Sequence, residues 1–322
     1  MDSMPGMGPG TMSGPMWMPS DPPTFSRLIA LHPQPLPIVP ALALLGLVLY
    51  LYGVVALARR GDRWPVGRTV AWVLGILVVL GVTATGVEGY GMALFSVHMA
   101  QHMALAMIAP IALLLGSPVT LALRALPGGS RARRALAGFI ASRFARVITS
   151  IPVRWFLFLS GLYGIYFTPI FDHLMTDVWG HNLMLLHFLV TGLLFFGPLV
   201  AADPWPTKGT PPMRMLETFA STPFHAFFGI AVMMATTPLS RYFDHRTWGI
   251  DPLSDQSTGG GIAWATSEVP TVLVMAIILV QWIRLDAREA KRKDRAADRD
   301  DDAELAAYNA WLAQIAAEDR RP

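Results

Sequence analysis

FSVHMAQHMALAMIAPIALLLGSP, residues 95–118, runs for 24 residues without an Asp, Glu, Lys or Arg. As a helix rising about 1.5 Å per residue it is long enough to cross a bilayer, which takes roughly 20 residues. Six further apolar stretches lie on either side of it. The spans read from the sequence are 38–58, 68–86, 92–115, 152–170, 181–201, 222–238 and 263–284. The pattern predicts an all-α, polytopic membrane bundle of seven transmembrane helices.

Positive charge orders the loops. If the connections alternate sides, the segments after the first, third and fifth spans and the C-terminal tail, taken with Arg68, Arg154 and Arg284 at the adjoining span ends, carry 4, 7, 2 and 9 Lys/Arg, which is 22 of the 25. The other side keeps only Arg27, Arg241 and Arg246. An excess of Lys/Arg marks the cytoplasmic face, so the N-terminus is expected outside and the C-terminus in the cytoplasm.

Composition agrees: 53% of the residues are hydrophobic and 15% charged over 322 residues. That suits helices whose outer surface meets lipid. A net charge of +3 and a pI near 9.4 place the arginines beside membrane spans, where they orient the chain and meet anionic lipid, so a nucleic-acid partner is not expected. The opening MDSMPGMGPG has neither the basic region nor the apolar core of a secretory signal, and no cleavage is expected. With no cysteine, disulfides and thiolate metal sites are excluded, and soft-metal chemistry falls to methionine and histidine.

Three regions follow: a Met/Pro/Gly-rich extracytoplasmic tail (1–37), a seven-helix membrane domain (38–284) and a charged cytoplasmic tail with a short amphipathic helix (285–322). In the first, Met1, Met4, Met7, Met12, Met16 and Met18 crowd among Gly and Pro. Flexible thioethers suit Cu(I), so the tail is a candidate for copper capture; it also reads as a plain disordered segment. The basic stretch between the third and fourth spans, RALPGGSRARRALAGFIASRFARVITSIPVR, reads as an amphipathic helix on the lipid surface.

Histidine carries the chemistry. His98 and His102, four residues apart, project from one face of the third span, with Met99, Gln101 and Met103 around them. A histidine inside a membrane-crossing helix marks a ligand, a proton path or a buried hydrogen bond. In HNLMLLHFLVTGLLFFGPL, steps of three residues put His181, Met184 and His187 on one side of the fifth span. Glu268 in the seventh span falls at similar depth and is expected to orient a ligating imidazole, bind the ion itself or pair with a protonated histidine. Glu88, Asp172, Asp177, Asp244, Asp251 and Asp255 read as mostly solvated residues of an acidic outer mouth. His225 reads as capping or packing locally, away from this cluster. No nucleotide loop, nucleophile elbow or HExxH motif occurs, and no enzyme is expected.

Four segments carry a family likeness: HMAQHMALAMIAPIALLLGSP at 98–118, HNLMLLHFLVTGLLFFGPLVAADP at 181–204, FHAFFGIAVM at 224–233 and DQSTGGGIAW at 255–264. Together they resemble the multi-span assembly factor of caa3-type cytochrome c oxidase, the CtaG family. The resemblance implies a protein of the bacterial plasma membrane that helps mature a haem–copper oxidase by assisting copper to reach its subunits. It covers neither the Met-rich tail nor the charged C-terminal extension. Joined to the residues, it gives a Cu(I) site at His98, His102, His187 and His181 with Met103 or Met184, Glu268 behind it and Met4, Met7, Met12, Met16 and Met18 as capture ligands. Two other readings stand beside it: a membrane cytochrome binding haem through His98 or His102 with His187, and a metal-free scaffold. Oligomeric state is not legible.

Overall fold

The computed structural model describes residues 16–244, 248–297 and 303–318. It divides into a unit Met1–Met275 and a unit Ala276–Pro322. The first unit holds α1 (Ile38–Arg59), α2 (Val66–Thr83), α3 (Gly86–Ala93), α4 (Phe95–Met103), α5 (Ala109–Leu115), α6 (Pro118–Ala125), α7 (Ile151–Leu159), α8 (Val178–Val200), α9 (Pro211–Met233) and the start of α10 (Pro252–Ala297). No strand occurs among the described residues; an isolated backbone bridge joins Leu31 to Thr85.

Among the described residues, five helical stretches are long and apolar enough to cross a membrane: Ile38–Arg59, Val66–Thr83, Phe95–Ala125, Val178–Val200 and Pro252–Arg295. They match the expected spans 38–58, 68–86, 92–115, 181–201 and 263–284. The other two expected spans take a different form. Residues 152–170 contain the nine-residue α7 and a π-turn, Ser160–Gly164. Of residues 222–238, only those to Met233 are in α9, which begins well before 222 and whose first half carries Arg214, Glu217, Thr218 and Ser221. On α1, Leu42, Leu45, Val48, Leu49 and Tyr52 are exposed, an apolar face that suits hydrocarbon rather than water.

The third span is one path of four pieces. α4 runs into a π-turn at Ala104–Ile108 and continues as α5. Pro110 is the cause: it has no N–H to donate to the carbonyl four residues back, and the wider turn absorbs its ring. The freed Ala106 carbonyl faces Gly192 of α8, where a Cβ would come within 2.2 Å of the oxygen. Only glycine allows α8 this close. The path then breaks at Ser117, which takes a left-handed conformation (φ 51°), and restarts with Pro118 as the first residue of α6.

Both restarts of this path are capped from a distance. Asp255, in the first turn of α10, accepts the N–H groups of Phe95 (2.7 Å) and Ser96 (3.4 Å) and the Ser96 hydroxyl. Asp203 accepts the N–H groups of Val119 (3.3 Å) and Thr120 (2.7 Å) and the Thr120 hydroxyl. Each carboxylate answers free donors at a helix start and its positive dipole end. Glu88 and Asp255, expected as solvated loop residues, are therefore found buried at 4% and 6% exposure.

Two arginines counted as loop charges are also buried. Arg154 donates to the carbonyls of Thr149 and Phe195 and pairs with Glu217 at 2.8 Å, while Arg214 donates to the Leu199 carbonyl at 2.8 Å. These contacts pin α7 and α9 to the carboxyl end of α8. The basic stretch forms two short exposed helices rather than one, Arg131–Ala141 and Arg143–Ile148, each started by a serine side chain (Ser130 and Ser142).

The end of the N-terminal tail packs down. Trp17 stacks on His32 at 3.6 Å, exchanges two hydrogen bonds with Gln34, and lies where a Cβ on Gly89 would stand. Met16 is buried and Met18 half-buried. Met4, Met7 and Met12 lie outside the described residues. In the second unit the stretch after Arg284, expected as a linker, is helical to Ala297, and a separate helix spans Ala303–Glu318.

Candidate functional site

The site is built around α4 and its π-turn, α8, α9 and the segment that follows α7. His98 and His102, one helical turn apart on α4, face the same way, and Tyr166 meets both. Its hydroxyl lies 3.0 Å from Nε2 of His98 and 2.9 Å from Nδ1 of His102. All three side chains are fully buried or nearly so. Phe188 packs its ring 4.0 Å from that of His102, and Phe171 sits 5.1 Å from His98. Sequence reading named both histidines and missed Tyr166, whose segment is separated from α4 by more than fifty residues.

Below this bridge lies a cavity of about 20 Å³, room for about one water-sized occupant. Three imidazoles border it, from three helices: His102, His187 of α8 and His225 of α9. Met107, on the π-turn, also lines it, with Phe158, Phe188, Thr191 and Phe195. Nε2 of His187 is buried without a hydrogen-bond partner. Gly161 keeps the space beside it open, since a Cβ there would stand 3.3 Å from that nitrogen.

The structure thus reorders the expected site. His98 does not border the cavity, and His225, expected to pack apart from the cluster, does. Met103 and Met184 are buried in the core but Met107 is the methionine at the cavity wall. Glu268 is exposed on α10, beside exposed Val269 and Val272, while Ser267 and Thr271 turn inward. Its exposed side chain stands apart from the buried imidazoles His98, His102, His181 and His225. Among the described residues no three His, Cys, Asp or Glu side chains close on a common point as a metal shell.

His181 belongs to a different group, at the start of α8. Its Nδ1 lies 3.5 Å from Oε1 of Glu88, in contact but without a hydrogen bond, and neither ring nitrogen finds a hydrogen-bond partner. The other Glu88 oxygen accepts from Gln101 Nε2 at 2.6 Å, and the same amide donates to the Val82 carbonyl at 2.8 Å. Burial pushes the Glu88 carboxyl up to about 8, with the Gln101 hydrogen bond opposing. At neutral pH it is mainly the uncharged acid. Glu88, not Glu268, is the carboxyl group set against a site histidine.

Residues 48–285 match the family described as cytochrome c oxidase caa3 assembly factor (Caa3_CtaG). The chain belongs to this family. Among curated proteins, this CtaG-family chain is 44% identical over 275 residues to uncharacterized proteins of Mycobacterium bovis and Mycobacterium tuberculosis, and 41% identical over 277 residues to one of Mycobacterium leprae. In each case 83% of this chain aligns, and it spans 42% of the relative's length. No solved structure matches. The matched region of the CtaG-family chain contains every histidine, Tyr166, Met107 and Glu88 of the two groups described above.

Proposed function

We propose that this oxidase assembly factor carries Cu(I) as cargo, held in the cavity between His102, His187 and His225 with Met107, and assists its delivery to an oxidase subunit. One observation supports the reading above the rest: three histidines and a methionine, from three helices and a π-turn, line one small void of about 20 Å³. Imidazole and thioether are ligands for Cu(I), and a site without thiolate or carboxylate binds it without locking it in place. His98 and His181 lie on the outer side of the cavity along α4 and α8, as stations on the way in, and the Met-rich tail is the collector.

In this reading the protein is non-catalytic and sits in the bacterial plasma membrane with its N-terminus outside. Seven crossings are proposed, the stretches around α7 and α9 making the two short ones. The skew of Lys/Arg supports this, as 22 of 25 fall to one side when seven spans are drawn.

A haem does not fit between these histidines: the space is about 20 Å³, against the few hundred Å³ that a cofactor-sized ligand occupies. The metal-free scaffold is separated by experiment. Purified protein titrated anaerobically with Cu(I) against a chromogenic chelator is expected to bind one ion, and His187→Ala with His225→Ala to lose it. No uptake by the wild type, or equal uptake by the double variant, would reject the copper site and favour the scaffold.

A further inference from the structure

We propose that Tyr166 ties the imidazoles of His98 and His102 into one shared tautomer, so that only one of the two offers a free nitrogen to a metal ion at a time. The second half of this statement rests on the copper reading; the first stands without it.

The argument is a count of protons. The Tyr166 hydroxyl has one hydrogen to donate, and among the described residues its partners are Nε2 of His98 (3.0 Å) and Nδ1 of His102 (2.9 Å). The group is buried, so an O–H aimed at neither ring would be a costly unpaired donor. It therefore donates to one ring, and the other ring must present an N–H to the phenol oxygen, because two lone pairs facing each other repel. Among the described residues no carboxylate meets either ring, and burial disfavours an unpaired charge, so each ring is taken with one N–H and one bare nitrogen.

Two arrangements satisfy this. In one, His98 donates from Nε2 and Tyr166 donates to Nδ1 of His102; both rings are then protonated at Nε2, and the bare nitrogen left over is Nδ1 of His98. In the other, Tyr166 donates to Nε2 of His98 and His102 donates from Nδ1; both rings are protonated at Nδ1, and the bare nitrogen left over is Nε2 of His102, whose ring borders the cavity. Mixed states leave two donors or two acceptors competing for one oxygen.

Nδ1 of His98 is buried with no partner. The first arrangement leaves its unpaired N–H at Nε2 of His102, whose ring borders the cavity where a water can meet it, and the second leaves it at the enclosed Nδ1 of His98, so the metal-free protein adopts the first, with His98 as the ready ligand. His102 becomes a ligand when both rings change together. In that step the Tyr166 proton passes to Nδ1 of His102 and the His98 Nε2 proton passes to the phenol oxygen. A proton leaves His102 Nε2 as the ion arrives there, and one joins His98 Nδ1 as the ion departs. One Cu(I) moves inward, one proton is released and one taken up, and the buried charge is unchanged. Tyr166 thus makes the two histidines successive stations rather than joint ligands, and acts as a positioning residue.

The test is ¹⁵N spectroscopy of the ring nitrogens in the full-length protein, with histidine signals assigned by single substitutions elsewhere. Metal-free wild type should show His98 and His102 both protonated at Nε2, and Tyr166→Phe should remove the tie, so that the two rings no longer change together. His98 and His102 in opposite tautomers in the wild type would overturn the proposal, whatever copper does. With Cu(I) added, the wild type should never show Nδ1 of His98 and Nε2 of His102 metallated in one species, and their joint ligation would also overturn it. Matched tautomers without any copper uptake would sink the copper reading and leave the tautomer tie standing.

Discussion

Replacing Glu88 by Gln should change how stability depends on pH, with a sign and slope that follow from its surroundings. The carboxyl, in the first turn of α3, is buried, contacts His181 at 3.5 Å and accepts a hydrogen bond from Gln101. Burial raises it from an ordinary value of 4.5 to about 8 in the folded protein. Between those values the folded state binds a proton that the unfolded state has lost, so stability falls as pH rises. The slope is about 1.4 kcal/mol per pH unit, and the loss is complete once pH passes the folded value. From pH 5 to 7.5 the wild type should lose about 3 kcal/mol relative to Glu88→Gln, whose amide keeps an acceptor for Gln101 and has no proton to lose. The measurement is reversible unfolding in detergent for both proteins across that range, taken as a difference so that other titrating groups cancel. Parallel curves, or a wild type that gains on the variant as pH rises, would show that Glu88 is charged in the folded protein and that its pocket is wetter than its burial implies.

Two further outcomes concern packing. Gly192→Ala places a Cβ 2.2 Å from the Ala106 carbonyl, a backbone atom of the π-turn, and should destabilise the fold by about 1–3 kcal/mol or more; a thermal midpoint equal to wild type would deny the close approach. Glu217→Ala leaves the Arg154 guanidinium buried without its carboxylate and should cost about 3–5 kcal/mol, whereas Arg154→Met with Glu217→Leu should recover most of it. Equal losses in the single and double variants would mean that the arginine's bonds to the Thr149 and Phe195 carbonyls, not the ion pair, hold α7 in place.

The five helices long and apolar enough to cross a membrane and the pairing of His98 with His102 on one helical face were legible in the sequence. They depend on local runs of apolar residues and on the 3.6-residue repeat, which need no knowledge of neighbours. The kink at Pro110 and the restart at Ser117–Pro118 also carry local signals, a proline inside an apolar run and another after a helix end. Which way each side chain turns is another matter. α1 and α8 are apolar on nearly all sides, so periodicity does not mark the inward face as it does in a water-soluble protein. Glu268, expected behind the imidazoles, is exposed on α10, a position that hydropathy along the chain does not distinguish from an inward one. His225 and Met107 were passed over although they border the same cavity as His102 and His187. Tyr166, Asp203 and Asp255 meet their partners across 64 to 160 residues of chain. Those contacts exist only once helices are packed in register, because a lone hydroxyl or carboxylate has no pattern along the chain and acquires its role from what stands opposite.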